Sequence, residues 1–248
     1  MNALLLAAGL GTRLRPLTEH TPKCLIEIHG RPLLGYWLDL LLDRGFERAI
    51  VNTHYLASQV EAFVAASRWA PRVHLVREPE LLGTGGTILA NRATLESGPF
   101  LVAHADNLCQ FDVKSFMDAH SRRAPGVEIT MMTFITDTPS TCGIVQTDAL
   151  DRVVAFHEKV ENPPGRVANG AVYIVEPSVV AFLAGLGKSV IDFSTDVIPR
   201  YLGRIATHPN DGYLRDIGTP EALAAAHREF SRLAPAALQE PQRATPAP

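Results

Sequence analysis

The densest group of chemistry-bearing residues lies near the N-terminus: Gly9-Leu10-Gly11-Thr12-Arg13-Leu14-Arg15-Pro16-Leu17-Thr18, with Thr21-Pro22-Lys23 close behind. The two glycines let the backbone turn sharply and bring N–H groups toward an anion. Arg13, Arg15 and Lys23 add full positive charge within the same short stretch. The apolar run Asn2–Ala8 reads as a buried strand ending at this turn, and open α/β sheets bind ligands at such strand ends. The chemistry indicated is the cradling and neutralisation of phosphates. Two common phosphate motifs do not fit: a dinucleotide fingerprint needs a small residue where Leu14 stands, and a P-loop needs Gly-Lys-Ser/Thr.

The full string, Gly9 through Thr18 with Pro22-Lys23, resembles the signature loop of the sugar-phosphate nucleotidyltransferases, the NDP-sugar pyrophosphorylases. The resemblance implies that Ala8, Gly9, Gly11 and Thr12 wrap the nucleotide's phosphates. It also implies that Arg13 holds the departing pyrophosphate and Lys23 neutralises the reacting phosphates, so these two are the expected catalytic residues. Leu82-Gly83-Thr84-Gly85-Gly86-Thr87 is similar to the family run that lies against the base, with Gly83 as a nucleotide contact. Glu78 and Glu80 stand just before it. A carboxylate can accept from both N1–H and the exocyclic amine of guanine, a pattern absent from uracil and thymine, so either glutamate favours GTP; the sequence leaves both open.

The resemblance assigns Asp106, in His104-Ala105-Asp106, and Asp216, in Tyr213-Leu-Arg-Asp-Ile-Gly-Thr-Pro, to a metal; Asp106 also faces the nucleotide. Hard carboxylate oxygens suit Mg²⁺ shared with phosphates. Ala105 stands where the family has glycine. On the sugar-phosphate side the similarity points to Gly143, Glu158, Lys159 and Asn169. Here Val160 replaces a family proline after Glu158-Lys159, and Gly170-Ala171 reverses the family's order of small residues. The implied reaction joins an NTP and a sugar 1-phosphate, giving an NDP-sugar and pyrophosphate. Pro22-Lys23-Cys24, Asp192-Phe-Ser-Thr195 and Arg215-Asp-Ile-Gly218 most resemble guanylyltransferases acting on mannose or D-glycero-D-manno-heptose 1-phosphate. Two alternatives stay open. A GT-A glycosyltransferase shares the fold but normally carries Asp-x-Asp, whereas Leu108 follows Asp106 at that spacing. A non-catalytic NDP-sugar-binding regulatory paralogue often loses the loop arginine or lysine, and Arg13 and Lys23 are both present.

The elements that must position these residues alternate. Strands are expected at Ala3–Ala8, Ala49–Asn52, Arg72–Val76 and Phe100–Ala103, with helices at Leu33–Leu42, Leu56–Ala66 and Thr87–Ala93 between them. This rhythm implies a mainly parallel sheet with helices on both faces, a three-layer α/β/α sandwich, which the resemblance makes GT-A-like. Strands at Glu128–Phe134, Gly143–Thr147, Arg152–His157 and Ala168–Val175 read as a mixed-sheet extension. Helices follow at Pro177–Leu183, Asp196–Leu202 and Glu221–Phe230. Residues 1–230 are thus expected to form one nucleotidyltransferase domain, and the Ala-, Pro- and Gln-rich residues 231–248 a disordered tail.

Composition narrows the setting. The 248 residues carry a formal charge of −3, against nucleic acid as main partner, since duplex binders concentrate basic surface. Cys24, Cys109 and Cys142 are widely spaced with no CxxC, indicating buried thiols in a reducing compartment. No apolar run approaches the ~20 residues of a membrane span, and the N-terminus lacks a signal-peptide pattern. The expectation is a cytoplasmic protein without a membrane partner; oligomeric state, including a homodimer, stays open.

Overall fold

The computed structural model describes residues 1–233. The chain runs β1 (Asn2–Leu6), β2 (Glu27–Ile28), β3 (Arg31–Pro32), α1 (Leu33–Leu42), β4 (Ala49–Thr53), α2 (Ala57–Ala66), β5 (Val73–Arg77), α3 (Gly83–Ala90), α4 (Arg92–Leu95) and β6 (Phe100–His104). It continues through β7 (Asn107–Gln110), α5 (Val113–Ser121), β8 (Ile129–Ile135), β9 (Gly143–Thr147), β10 (Val153–Glu158), β11 (Val167–Val175), α6 (Pro177–Gly185), β12 (Ile205–Pro209), β13 (Tyr213–Asp216) and α7 (Pro220–Leu233). Helix α7 therefore continues past Phe230 to Leu233, and the rest of the expected tail, 234–248, lies outside the described residues.

The main sheet has nine strands in the order β10-β9-β11-β6-β1-β4-β5, with β8 and β12 branching from β11. Strands β6, β1, β4 and β5 are mutually parallel; β11 is antiparallel to β6, and β12 is parallel to β8. The mainly parallel sheet and its mixed extension thus follow the sequence reading. Strict alternation along the strands explains the three layers. Ala3, Leu5, Ala49, Val51, Leu101 and Ala103 face a core with Leu34, Trp37, Leu41, Val60 and Phe116 from α1, α2 and α5. Leu4, Ile50, Phe100 and Val102 face the opposite core, with Ile88, Leu95, Val179 and Leu183 from α3, α4 and α6. Each of these buried large side chains contributes roughly 1.5–3 kcal/mol, which makes the sheet a rigid platform.

A smaller third core concerns the site directly. Leu14, Ile26, Ile28, Leu33, Leu108, Tyr213, Ile217, Ala226 and Phe230 pack together. They join the N-terminal loop, the two-stranded ribbon β7–β13 and α7 into one unit at the carboxyl end of the sheet.

Local readings differ in four places. Helix α3 begins at Gly83, four residues before the expected Thr87, because Gly85 and Gly86 N–H both donate to Ile191 O and hold the glycines in a helical turn. Helix α5 is absent from the sequence reading: Lys114, Ser115, Asp118, His120 and Ser121 leave it few apolar positions, although Asp112 caps it by accepting from Ser115 N and Phe116 is buried. The expected helix Asp196–Leu202 is instead a π turn at Phe193–Val197, capped by Asp192, followed by a short 3₁₀ turn at Ile198–Arg200. The short strands β2, β3, β7, β12 and β13 also lie outside the reading: four of them have only two or four residues, and β12, Ile-Ala-Thr-His-Pro, carries no apolar run.

Candidate active site

The parallel strands end along one edge. Leu6 on β1 lies opposite Asn52 on β4 and His104 on β6, so the chain leaves all three strands at the same level. Beyond β1, Ala8 is buried while Gly9 is exposed and nothing crowds its Cβ position. Gly11 has φ +62° and its added Cβ would lie 2.9 Å from Thr18 Cγ2, so glycine is required there for both conformation and space. The Thr18 hydroxyl donates to Gly11 O at 2.7 Å and closes the loop on itself. Thr12 and Arg13 follow in an exposed 3₁₀ turn, anchored by buried Leu14.

Lys23 is the centre of the arrangement. It is only 6% exposed. Its ammonium donates to Asp106 Oδ2 at 2.7 Å and to Asp216 Oδ1 at 2.9 Å. Arg13 stands 3.6 Å from the other Asp216 oxygen. Asp106 follows β6; the ribbon then pairs Asn107 with Asp216, which is how two residues far apart in sequence become neighbours. The indole N–H of buried Trp37 on α1 donates to Asn107 O at 2.9 Å and fixes the ribbon against the core. Arg215 on β13 is held by Glu229 of α7 at 2.8 Å, bracing the segment that carries Asp216. Gly218 lies under Arg13: an added Cβ would be 2.8 Å from Asp216 Oδ2 and 3.0 Å from Arg13 Nη2.

The charges are mutually tuned. Burial works to lower the Lys23 pKa, but Asp106 and Asp216 outweigh it and hold the value above the ordinary lysine range. Burial works to raise the Asp106 carboxyl, and Lys23 with His104 outweighs it in turn, holding it below the usual carboxylate range. Both groups are therefore ionised at neutral pH. An open cleft of about 330 Å³ lies over them, lined by Leu10, Gly11, Thr12, Arg13, Lys23, Leu81, Asp106 and Gly218. Of these, Leu10 and Gly218 stand inside motifs the sequence shows but receive no role from it, and Leu81 is not marked at all, because nothing local marks an exposed leucine or a packed glycine as functional.

The two glutamates part company. Glu78 is 3% exposed, its Oε1 accepting from Asn52 Nδ2 at 3.0 Å and from the Thr87 hydroxyl at 2.6 Å. Of the two glutamates the sequence leaves open, Glu78 is therefore the one whose carboxylate is tied into the scaffold rather than turned to the cleft. Glu80 is exposed next to Leu81 of the cleft. Gly83 has φ +75°, and a Cβ there would meet Ile191 O at 2.5 Å; the segment is pinned further by Ile191 N–H donating to Leu82 O at 3.0 Å.

The sugar-phosphate candidates gather where β9, β10 and β11 meet. Glu158 is the cross-strand partner of Gly143, and a Cβ on Gly143 would be 2.7 Å from Glu158 Oε2. Lys159, at φ 49°, pairs with Glu158 at 3.2 Å. Asn169 Nδ2 donates to Tyr173 Oη at 2.6 Å, and its Oδ1 accepts from Ala171 N–H, forming a bulge in β11. The changed order of small residues is explained at one of its two positions. A side chain at Gly170 would strike Leu214 Cδ1 at 2.9 Å, whereas Ala171 takes a left-handed φ of 53°, and nothing in the structure explains an alanine there. Val172 on β11 faces Ala103 on antiparallel β6, so residues preceding it extend past the strand end that leads to Asp106.

Among the described residues no group of three or more His, Cys, Asp or Glu forms a metal cage, and no helix is long and apolar enough to cross a membrane. In plan this is a three-layer α/β protein whose cleft, at the carboxyl edge of the sheet, sets Lys23 and Arg13 against two carboxylates beside a glycine turn, as expected of a protein that handles phosphate groups. The chain belongs to the nucleotidyl transferase family, whose model matches residues 2–232. It is 34% identical over 226 residues to the mannose-1-phosphate guanylyltransferase of Mycobacterium tuberculosis, covering 89% of this chain and 62% of that protein. It is 31% identical over 242 residues to the N-acetylmuramate alpha-1-phosphate uridylyltransferase of Caulobacter vibrioides, covering 92% of this chain and 96% of that one. Among solved structures, HddC from Yersinia pseudotuberculosis complexed with GMP-PN superposes with a TM-score of 0.77 at 27% identity, covering 92% and 99% of the two chains. The chain thus spans about three fifths of the length of the mannose-1-phosphate relatives it matches.

Proposed function

We propose that this chain transfers a nucleoside monophosphate from an NTP to a sugar 1-phosphate. The observation that carries the reading is the Lys23 ammonium, buried and shared by Asp106 and Asp216 at the mouth of the Gly9–Thr12 turn. Two polyanions must approach one another in this reaction, so the protein's contribution is positioning and charge neutralisation. The loop amides from Gly9 to Thr12 cradle the triphosphate. Arg13, exposed beside Asp216, takes the pyrophosphate, and Lys23 faces the α-phosphate under attack. A sugar phosphate is already ionised at neutral pH, which makes a general base unnecessary. Lys159 and Glu158 hold the incoming phosphate and sugar hydroxyls, with Asn169 and Gly143 shaping the floor.

Asp106 and Asp216 would hold a divalent cation such as Mg²⁺. One ammonium already reaches both, so a single ion can be shared between them, and a two-carboxylate set leaves coordination positions for phosphate oxygens. Such an ion supplies neutralisation of charge building on the phosphates.

For the base, Glu80 is the reader and GTP the preferred nucleotide; the likeness to the guanylyltransferase and to HddC bound to GMP-PN supports this, with mannose or a heptose as sugar. A second reading, uridylyl transfer to an amino-sugar 1-phosphate, is favoured by the relative that this chain matches over nearly its whole length. Pyrophosphate release measured over GTP, UTP and dTTP against mannose, heptose and N-acetylmuramate 1-phosphates decides between them. Release with no pair, together with tight NDP-sugar binding, would overturn catalysis in favour of a regulatory binder.

A further inference from the structure

We infer that Asn52 and Glu78 form a positioning pair that locks the triphosphate loop and the base-contacting helix entry into a single unit. Asn52 sits near the end of β4 and is 3% exposed. Its Oδ1 accepts from Ala7 N–H at 2.7 Å, at the point where β1 leaves the sheet and becomes the phosphate loop. Its Nδ2 donates to Glu78 Oε1 at 3.0 Å and to Thr87 Oγ1 at 3.2 Å. The hydroxyl of Thr87, 1% exposed, donates onward to Glu78 Oε1 at 2.6 Å. Glu78 and Thr87 bracket residues 79–86, which contain Glu80, Leu81 and Gly83. One amide side chain therefore reaches both segments that clasp a nucleotide.

The chemistry of the pair is specific. Asn52 must accept from one side and donate on the other, which an aspartate or a leucine cannot do. Glu78 is buried, yet none of the ion pairs among the described residues includes it. A buried carboxylate without a cation opposes folding unless its oxygens are hydrogen-bonded, and here Asn52 and Thr87 supply the donors. Leu82 N–H, at the N-cap of α3, donates to Glu78 Oε2 at 3.5 Å, at the helix end that favours negative charge. An apolar contact would hold β4 and β5 together equally well; what the polar relay adds is a fixed distance between the two nucleotide segments.

The inference rests on the proposed reading that these segments bind one nucleotide, and the test separates the two. Asn52→Asp sets a carboxylate against Glu78. The double variant N52D/E78Q exchanges donor and acceptor: the glutamine NH2, in the place of Glu78 Oε1, donates to the new aspartate and to Thr87 Oγ1, the Thr87 hydroxyl donates to that aspartate, and the glutamine oxygen takes the place of Oε2 facing Leu82 N–H, which restores the relay with its direction reversed. The KM for GTP and UTP, the KM for the sugar 1-phosphate, the Kd of a non-hydrolysable GTP analogue by calorimetry, and the melting temperature are measured for each. Asn52→Asp is expected to raise nucleotide KM and Kd about tenfold with the sugar-phosphate KM within about twofold of wild type, and the double variant to recover most of the loss. A folded Asn52→Asp protein with unchanged nucleotide affinity overturns the inference. So does a double variant that regains melting temperature but not affinity. Should Asn52→Asp not fold, Thr87→Val and Thr87→Ser read the same relay: Val, which lacks the hydroxyl, is expected to weaken nucleotide binding and Ser to preserve it, and equal behaviour of the two refutes the pair. Wild-type protein that binds nucleotide without releasing pyrophosphate counts against the proposed reaction alone.

Discussion

Replacing Lys23 by methionine removes the shared charge while keeping most of the side chain's length. Its ammonium contacts Asp106 Oδ2 at 2.7 Å and Asp216 Oδ1 at 2.9 Å. The two carboxylate oxygens therefore lie within ~6 Å of each other, where like charges repel by roughly 3 kcal/mol at an effective dielectric of about 20. Asp216 is 54% exposed, and solvent screening brings that repulsion to about 1–2 kcal/mol. Loss of two charge-assisted hydrogen bonds adds about 1–2 kcal/mol, for a destabilisation of about 2–4 kcal/mol. Turnover should fall further, by roughly 10²–10³, because a preorganised cation facing the reacting phosphates is gone. Urea unfolding with and without MgCl₂, paired with pyrophosphate release, separates the two effects. Added Mg²⁺ is expected to recover stability by neutralising the carboxylates and to leave turnover low. Wild-type turnover in Lys23→Met would refute the role assigned to the ammonium, and an unshifted urea midpoint would refute the electrostatic argument.

Other consequences are open to direct measurement. Gly11→Ala forces a Cβ to 2.9 Å from Thr18 Cγ2 at a left-handed φ; it should cost about 1–3 kcal/mol and weaken nucleotide binding, read by chemical melts and calorimetry. Ala171→Gly relieves a φ of 53° and should raise the urea midpoint by an amount worth about 0.5–1 kcal/mol; a lower midpoint would show that the bulge carries no strain. His120 is 2% exposed between Thr130 and Glu176. Burial keeps its pKa below the ordinary 6.5, although Glu176 pulls the other way. The unfolded chain then takes up the proton first, so stability is complete above that ordinary value and declines as pH falls below it. A melting temperature in His120→Gln that follows pH from 7 to 5 as steeply as in wild type would count against this.

How much of the site is legible in advance depends on how locally each feature is encoded. The turn Gly9–Thr12, the basic residues after it and the Gly83–Gly86 run are contiguous, and backbone conformation with local charge is enough to mark them. Strand β1 and helix α1 fall within a residue or two of their expected bounds because their apolar runs are long and uninterrupted. Helix α3 starts earlier than its pattern suggests, since its glycines are helical only through Ile191 O, a contact from the far half of the chain. Ribbon β7–β13 escapes sequence reading because each strand is four residues long and its partner is remote. Asn52 carries no signal at all: an asparagine near the end of an apolar strand is ordinary until its three partners are in place.

By itself, the sequence determined which chemical groups are available: the glycine turn, Arg13, Lys23, two aspartates near strand ends, and strands whose alternation builds two cores. Only tertiary structure decided which of them act together. Lys23 meets Asp106 across 83 residues and Asp216 across 193, a convergence made by the parallel sheet and the β7–β13 ribbon. It likewise separated Glu78 from Glu80, two carboxylates alike in sequence, by burying one under Asn52 and Thr87 and leaving the other in solvent. Burial and long-range neighbours set the charge state and reach of a side chain, and neither is a property of the residues beside it in the chain.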